Sequence, residues 1–282
     1  MNQLPLEKRV EIISLLLRGI GMRDIADHAK VSKNTVAKLL VDVGTACQRF
    51  HDEKVVNLNS KRIECDEQWG YIYSKQKNVA KNKVQVDRAG DAWTWVGMDS
   101  DSRLIIDWYV GKRDSDSADY FMSRLGSRLK NQVQLSTDGL KTYIEAVEKV
   151  FEGKINYAQM DKQYGISQKD GKVDNRKQYV GAIRERVCGN PDMSKVSTSY
   201  VERINLTTRM ATRRMIRKTN GQSKKYENHC CAIALHYTYY NFARIHSTLR
   251  VTPAMEAGLM DRWMEIEDIV KLADVENYKN SN

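Results

Sequence analysis

Three acidic residues have the types and spacing to do chemistry. Asp66 lies within an alternating, aromatic-rich run, Asp138 directly follows a short apolar run, and Glu202 falls in the first turns of a later helical stretch. Carboxylates brought within about 4 Å repel by roughly 4 kcal/mol per pair at an effective dielectric near 20. Such a set needs cations, and two Mg²⁺ ions, with Mn²⁺ as a substitute, would satisfy it. The chemistry of two such ions is attack on a phosphodiester, one activating a water or a 3′-hydroxyl and the other stabilising the leaving oxygen. Position alone leaves the assignment open, because residues 61–202 hold 21 Asp and Glu, and an acidic side chain is usually a solvated surface charge. Glu67 beside Asp66, Asp99 or Asp101 in a turn, and Glu185 further on compete for the same roles.

The elements that must position these groups follow from periodicity. Ile63 to Ser74 alternates as a strand, and Trp93 to Met98 and Leu104 to Val110 flank the turn Asp99-Ser100-Asp101-Ser102, so three antiparallel strands are expected. A helix from Ser115, a strand Val133 to Ser136, a helix Leu140 to Phe151 and a strand Ile155 to Met160 complete an order βββαβαβ. That order predicts an α/β fold with a mixed sheet. Residues 161–196 read as a polar insertion without strong periodicity, and two long helices follow, about Tyr200 to Ile216 and Glu227 to Phe242. An Asp on the first strand, an Asp after the fourth and a Glu on the next helix is the layout of an RNase H-like core. Trp69, Trp93 and Trp95, and Tyr237, Tyr239 and Tyr240, are expected to pack rather than stack on bases.

Ahead of this unit, residues 1–45 predict an all-α reader. Leu6, Val10, Ile13 and Leu17 recur at helical spacing up to Gly19, Met22–Ala29 makes a second helix, and Ser32 caps a third that carries Val36, Leu39, Leu40 and Val43. Two helices joined by a tight turn form a helix-turn-helix, whose second helix fits the DNA major groove and here exposes Lys33, Asn34, Thr35 and Lys38. The turn position often held by glycine is Lys30, at a modest left-handed strain. Residues 46–61 read as a linker, 62–256 as the catalytic unit, and 257–282 as a peripheral C-terminal helix and tail.

Charge narrows the partner. The 282 residues carry 46 Lys+Arg against 36 Asp+Glu, and residues 203–250 alone hold +9 of the net +10. A field so concentrated selects a polyanion. Arg213, Arg214, Arg217 and Lys218 lie in that segment, and Arg209 sits two helical turns beyond Glu202 on the same face. Asn205, one turn from Glu202, is placed to contact a phosphate or to bond the carboxylate. No apolar stretch is long enough to span a membrane, and 41% hydrophobic with 29% charged residues argues against general disorder. Five cysteines, with no C-x-x-C spacing, fit reduced thiols in a cytoplasm.

The runs Cys65-Asp66-Glu67-Gln68-Trp69, DAWTWVGMDSDSRLI, Thr137-Asp138-Gly139, NPDMSKVSTSYVERINLTTRM and RIHSTLRVTPAMEAG together resemble bacterial insertion-sequence transposases of the DDE type, of the insertion-sequence-one family kind. The resemblance covers essentially the whole chain. It implies binding to the terminal inverted repeats of the chain's own element, strand cleavage at its ends and joining of the 3′-hydroxyls to target DNA. Carried over by position, the metal-binding triad is Asp66, Asp138 and Glu202, in a homo-oligomer on double-stranded DNA at a prokaryotic nucleoid. His246 matches a position near the end of such cores, where bonding to backbone or DNA is expected. The 63 residues between Asp138 and Glu202 exceed the spacing of the tightest DDE families, and residues 161–196 account for the excess. The runner-up is a non-catalytic DNA-binding protein that kept only the helix-turn-helix; a third reading is a nuclease on the same core.

Overall fold

A computed structural model of the chain describes residues 4–81, 83–169, 172–216 and 219–279. Three helices begin it: α1 (Leu6–Leu17), α2 (Met22–Ala29) and α3 (Lys33–Lys54). Of the apolar positions expected to face inward, Ile13 and Leu17, Ile25 and Ala26, and Val36, Leu39, Leu40 and Val43 are buried, whereas Leu6 and Val10 are half-buried. Lys30 ends α2 in the left-handed region at φ 53°, and Ser32 caps α3 by accepting from the Thr35 N–H at 3.0 Å.

The segment expected as a linker differs. α3 continues to Lys54 and buries Ala46, Cys47 and His51. Val43, Gly44, Cys47 and His51 form a stripe at helical spacing, but glycine and histidine do not register as apolar in a sequence. Gly44 lets α3 approach a later helix closely: a Cβ there would lie 2.5 Å from Cys231 Cβ. His51 stands edge-on to Trp108 with ring centroids 4.3 Å apart.

The sheet comprises β1 (Arg62–Ile72), β2 (Gly90–Asp99), β3 (Ile105–Gly111), β4 (Gln134–Thr137), β5 (Asn156–Lys169) and β6 (Lys172–Cys188), in the order β3-β2-β1-β4-β5-β6. β1 pairs antiparallel with β2 and parallel with β4, and β4 is parallel to β5, so the sheet is mixed. A single helical turn, α4 (Gln76–Val79), lies in the loop after β1, and α5 (Ser115–Ser127) and α6 (Thr142–Phe151) are the crossovers. Residues 161–196 depart from expectation: most of them extend β5 and form β6, an antiparallel hairpin whose register shifts three times. Those irregularities, with glycines at 165 and 181, hide the period-two signal.

Two helices follow the hairpin, α7 (Ser199–Ala211) and α8 (Tyr226–Thr238). α7 stops earlier than expected, and a 3-10 turn, Arg213–Met215, buries Met215. α8 runs into a π-helical turn, Tyr239–Ala243. After the short α9 (Pro253–Glu256), α10 (Ile266–Lys279) is not peripheral. Ile269, Val270 and Ala273 are buried, and Arg9 of α1 pairs with Asp274 at 2.6 Å, so the chain's end closes the N-terminal helices. Among the described residues no helix is long and apolar enough to cross a membrane.

Candidate active site

The register of two strands brings two of the three acids together. β1 and β4 run parallel with Cys65 opposite Thr137, so the next residues, Asp66 and Asp138, are neighbours at the carboxyl end of β4. Parallel strands lie about 4.8 Å apart, which suits shared ligation. Oxygens of Asp66, Glu67 and Asp138 all fall within 4.8 Å of one another. Two oxygens on one Mg²⁺ can be at most about 4.2 Å apart, so a small closing motion completes a site for a hard cation.

Successive residues of β1 serve opposite faces of the sheet. On one face Asp66 Oδ2 accepts from Asn205 Nδ2 at 2.8 Å, and Gln68 Nε2 donates to the Asn205 carbonyl at 2.7 Å. The nearly buried Glu64 accepts the backbone N–H groups of Tyr200 and Val201, at 2.8 and 3.1 Å, and so caps α7. Burial raises the Glu64 pKa, and these donors counter only part of that rise. On the other face Glu67 accepts from Arg113 Nε at 3.1 Å, and Arg113 Nη2 reaches Asp138 Oδ2 at 3.5 Å. Arg113 stacks over the Trp93 ring at 4.9 Å.

Glu202 stands at the start of α7, where the positive end of the helix favours a carboxylate. It accepts from Thr198 Oγ1 at 2.7 Å and forms an ion pair with Lys162 of β5. It lies outside the tight grouping of the other three, yet near enough that its charge acts on both aspartates. Burial first, then the charge of Asp138, pushes Asp66 up to about 6. Glu67 rises to about 7 for the same two reasons, and burial raises Asp138 against the pull of the Leu140 N–H and Arg113. Desolvated carboxylates that repel one another are what a divalent cation relieves, so the donor set fits one.

The sequence-derived nucleic-acid residues divide three ways. Lys33, Asn34, Lys38 and Arg213 are exposed, Thr35, Arg209 and Arg214 are half-buried, and Arg217 and Lys218 lie outside the described residues. Lys38 pairs with Asp42 at 2.6 Å. Asn205 is buried, and its side-chain amide donates to Asp66. His246 bonds to backbone, accepting the Thr248 N–H at 3.3 Å through Nδ1. Trp95 and Tyr237 are fully buried, whereas Trp69 is half-exposed beneath Lys75. Glu64, Arg113 and Lys162 are the residues that sequence reasoning missed. Only the acid-rich run around Asp66 hinted at the first, and nothing local marked the other two.

A second grouping, His51, Asp52 and Asp107, has similar spacing. Arg124 and Arg128 both bond Asp52 and Asp107, the latter fully buried. Two guanidinium groups already supply the positive charge there, so it is a structural ion-pair network.

No protein-family model matches the chain, and no curated protein does. Among solved structures, a piggyBac transposase synaptic complex with hairpin DNA is similar over 100% of this chain and 74% of its own, at 10% identity and a TM-score of 0.43. A Mos1 mariner paired-end complex with Mn is similar over 84% of this chain and 77% of its own, at 11% identity and a TM-score of 0.31. A pre-cleavage Mos1 transpososome is similar over 56% and 60%, at 10% identity and a TM-score of 0.22.

Proposed function

We propose that the chain is a DNA transposase of the bacterial insertion-sequence type, with an RNase H-like catalytic unit. It binds the terminal inverted repeats of its element, cleaves strands at their ends and joins them to target DNA, using Mg²⁺. The observation that carries this reading is the meeting of Asp66 and Asp138 across the parallel β1–β4 pair, with the charge of Glu202 acting on both. Asp66, Asp138 and Glu202 would hold the cation, which when bound supplies activation of the attacking oxygen and stabilisation of the leaving one. The chain's own residues orient that set. Asn205 fixes the rotamer of Asp66, Glu64 anchors the helix that carries Glu202, and Thr198 and Lys162 hold the Glu202 carboxylate. Arg113 and Lys162 balance the acids while no metal is bound, and their charge is available to DNA phosphates once it is.

Lys33, Asn34, Thr35 and Lys38 on α3 read the repeat through the major groove, and Arg209, Arg213, Arg214, Arg217 and Lys218 hold phosphates. Purified protein with DNA carrying its element's ends and Mg²⁺ nicks or cleaves that DNA, and Asp138→Asn abolishes the reaction. Unchanged cleavage by that variant refutes the site. Lys33→Ala combined with Asn34→Ala weakens binding to the repeats more than to random DNA.

A further inference from the structure

The two basic sets, one on the N-terminal helices and one after α7, face each other across a single cleft of about 1090 Å³. Lys33 and Lys38 of α3 line one wall, and Arg213, Arg214, Lys224 and Lys225 line the other. The only acids lining it, among the described residues, are Asp24 and Glu227. The second wall is tied to the sheet, since the Tyr73 N–H donates to the Ser223 carbonyl at 2.8 Å. Because α3 is one continuous helix packed on α8, the two walls are held in fixed relation.

Two features of this cleft ask for an anion. The Arg214 guanidinium bonds only uncharged atoms, Ser223 Oγ at 3.1 Å and Met22 Sδ at 3.4 Å, and no carboxylate among the described residues pairs with it. His236, which lines the cleft and is 3% exposed, has neither ring nitrogen bonded. Burial, with Arg244 nearby, lowers its pKa to about 4, so it is a neutral imidazole with one N–H to donate.

We propose that this cleft takes the sugar-phosphate backbone of the same duplex whose major groove receives α3, so that one protomer grips a DNA end from both walls. The inference rests on the DNA-binding reading above. A helix seated in a major groove about 12 Å wide has a phosphate strand along each side. On the cleft side of α3 that strand meets Arg213, Lys224 and Lys225, with Arg214 and His236 deeper in. Reader and phosphate track are therefore one interface, pre-formed before DNA arrives.

The test is fluorescence anisotropy of a labelled duplex of about 20 base pairs across a range of NaCl concentrations. Exposed Lys224→Ala with Lys225→Ala, whose folding is checked by circular dichroism, should flatten the slope of log affinity against log salt by about 2 and weaken mixed-sequence and repeat duplexes alike. An unchanged slope in the double variant, while Lys33→Ala weakens binding, overturns the proposal. So does protection of the cleft by inorganic phosphate that DNA does not compete away. Metal-dependent cleavage with an unchanged slope sinks the cleft alone. A changed slope without cleavage by the parent protein sinks the catalytic reading alone, and no binding to DNA at all sinks both.

Discussion

Replacing Glu67 by Gln tests the electrostatics of the acidic site without its metal. Glu67 is 7% exposed, and burial together with the charge of Asp138 raises its pKa from 4.5 to about 7. At about 1.4 kcal/mol per pH unit, that displacement comes to about 3 kcal/mol of folding stability. The sign follows from proton binding: between 4.5 and about 7 the folded state keeps a proton that the unfolded chain has lost. Stability therefore falls as pH rises through that window and stays low above it. Gln keeps the shape and cannot ionise, so Glu67→Gln should be more stable than the parent at about pH 8 by up to about 3 kcal/mol, a figure already net of the Arg113 attraction, and by less than about 1 kcal/mol at about pH 5. The assay is urea denaturation in a chelating buffer at both pH values. Comparing variant with parent is essential, because buried His51 and His229, lowered to about 3, and His236, lowered to about 4, lose stability in the opposite direction, as pH falls below 6.5. A difference between variant and parent that is the same at both pH values, or larger at the lower one, refutes the reasoning.

Three further outcomes are expected. Asn205→Ala leaves Asp66 without its donor and should weaken divalent-metal binding by about 10- to 100-fold, read by calorimetric titration with Mn²⁺; unaltered affinity rules out the positioning role. Gly44→Ala should destabilise the fold by about 1–2 kcal/mol, since overpacking against Cys231 outweighs the better helix propensity of alanine, and a denaturation midpoint at or above the parent's contradicts the close approach of α3 and α8. Asp107→Asn should cost about 3–5 kcal/mol, because it strands Arg124 and Arg128 beside an uncharged group; thermal unfolding at the parent's temperature shows instead that Asp52 alone neutralises them.

Much of this was legible from local pattern. The alternation of β1 to β3, the turn chemistry at Asp99 to Ser102 and the helical stripes of α1 to α3 depend on near neighbours, and the structure repeats the strands to within three residues at either end. Asp66 and Asp138 were legible because a strand and the end of the next parallel strand are predictable places. The continuation of α3 was not, since its buried stripe relies on Gly44 and His51, whose burial exists only when α8 and β3 are present. The hairpin of β5 and β6 hid behind its register shifts, and the docking of α10 rests on a contact between residues 265 apart.

By itself, then, the sequence determined which residues carry charge and which short stretches bend into helix or strand, because those are properties of residue type and spacing. Only the tertiary structure decided which charges meet. It put Glu67 and Arg113 beside the two aspartates, bonded Asn205 to Asp66, and turned α3 toward the cations that follow α7. Coulomb and desolvation energies depend on through-space distance and burial, and neither exists until the chain is packed.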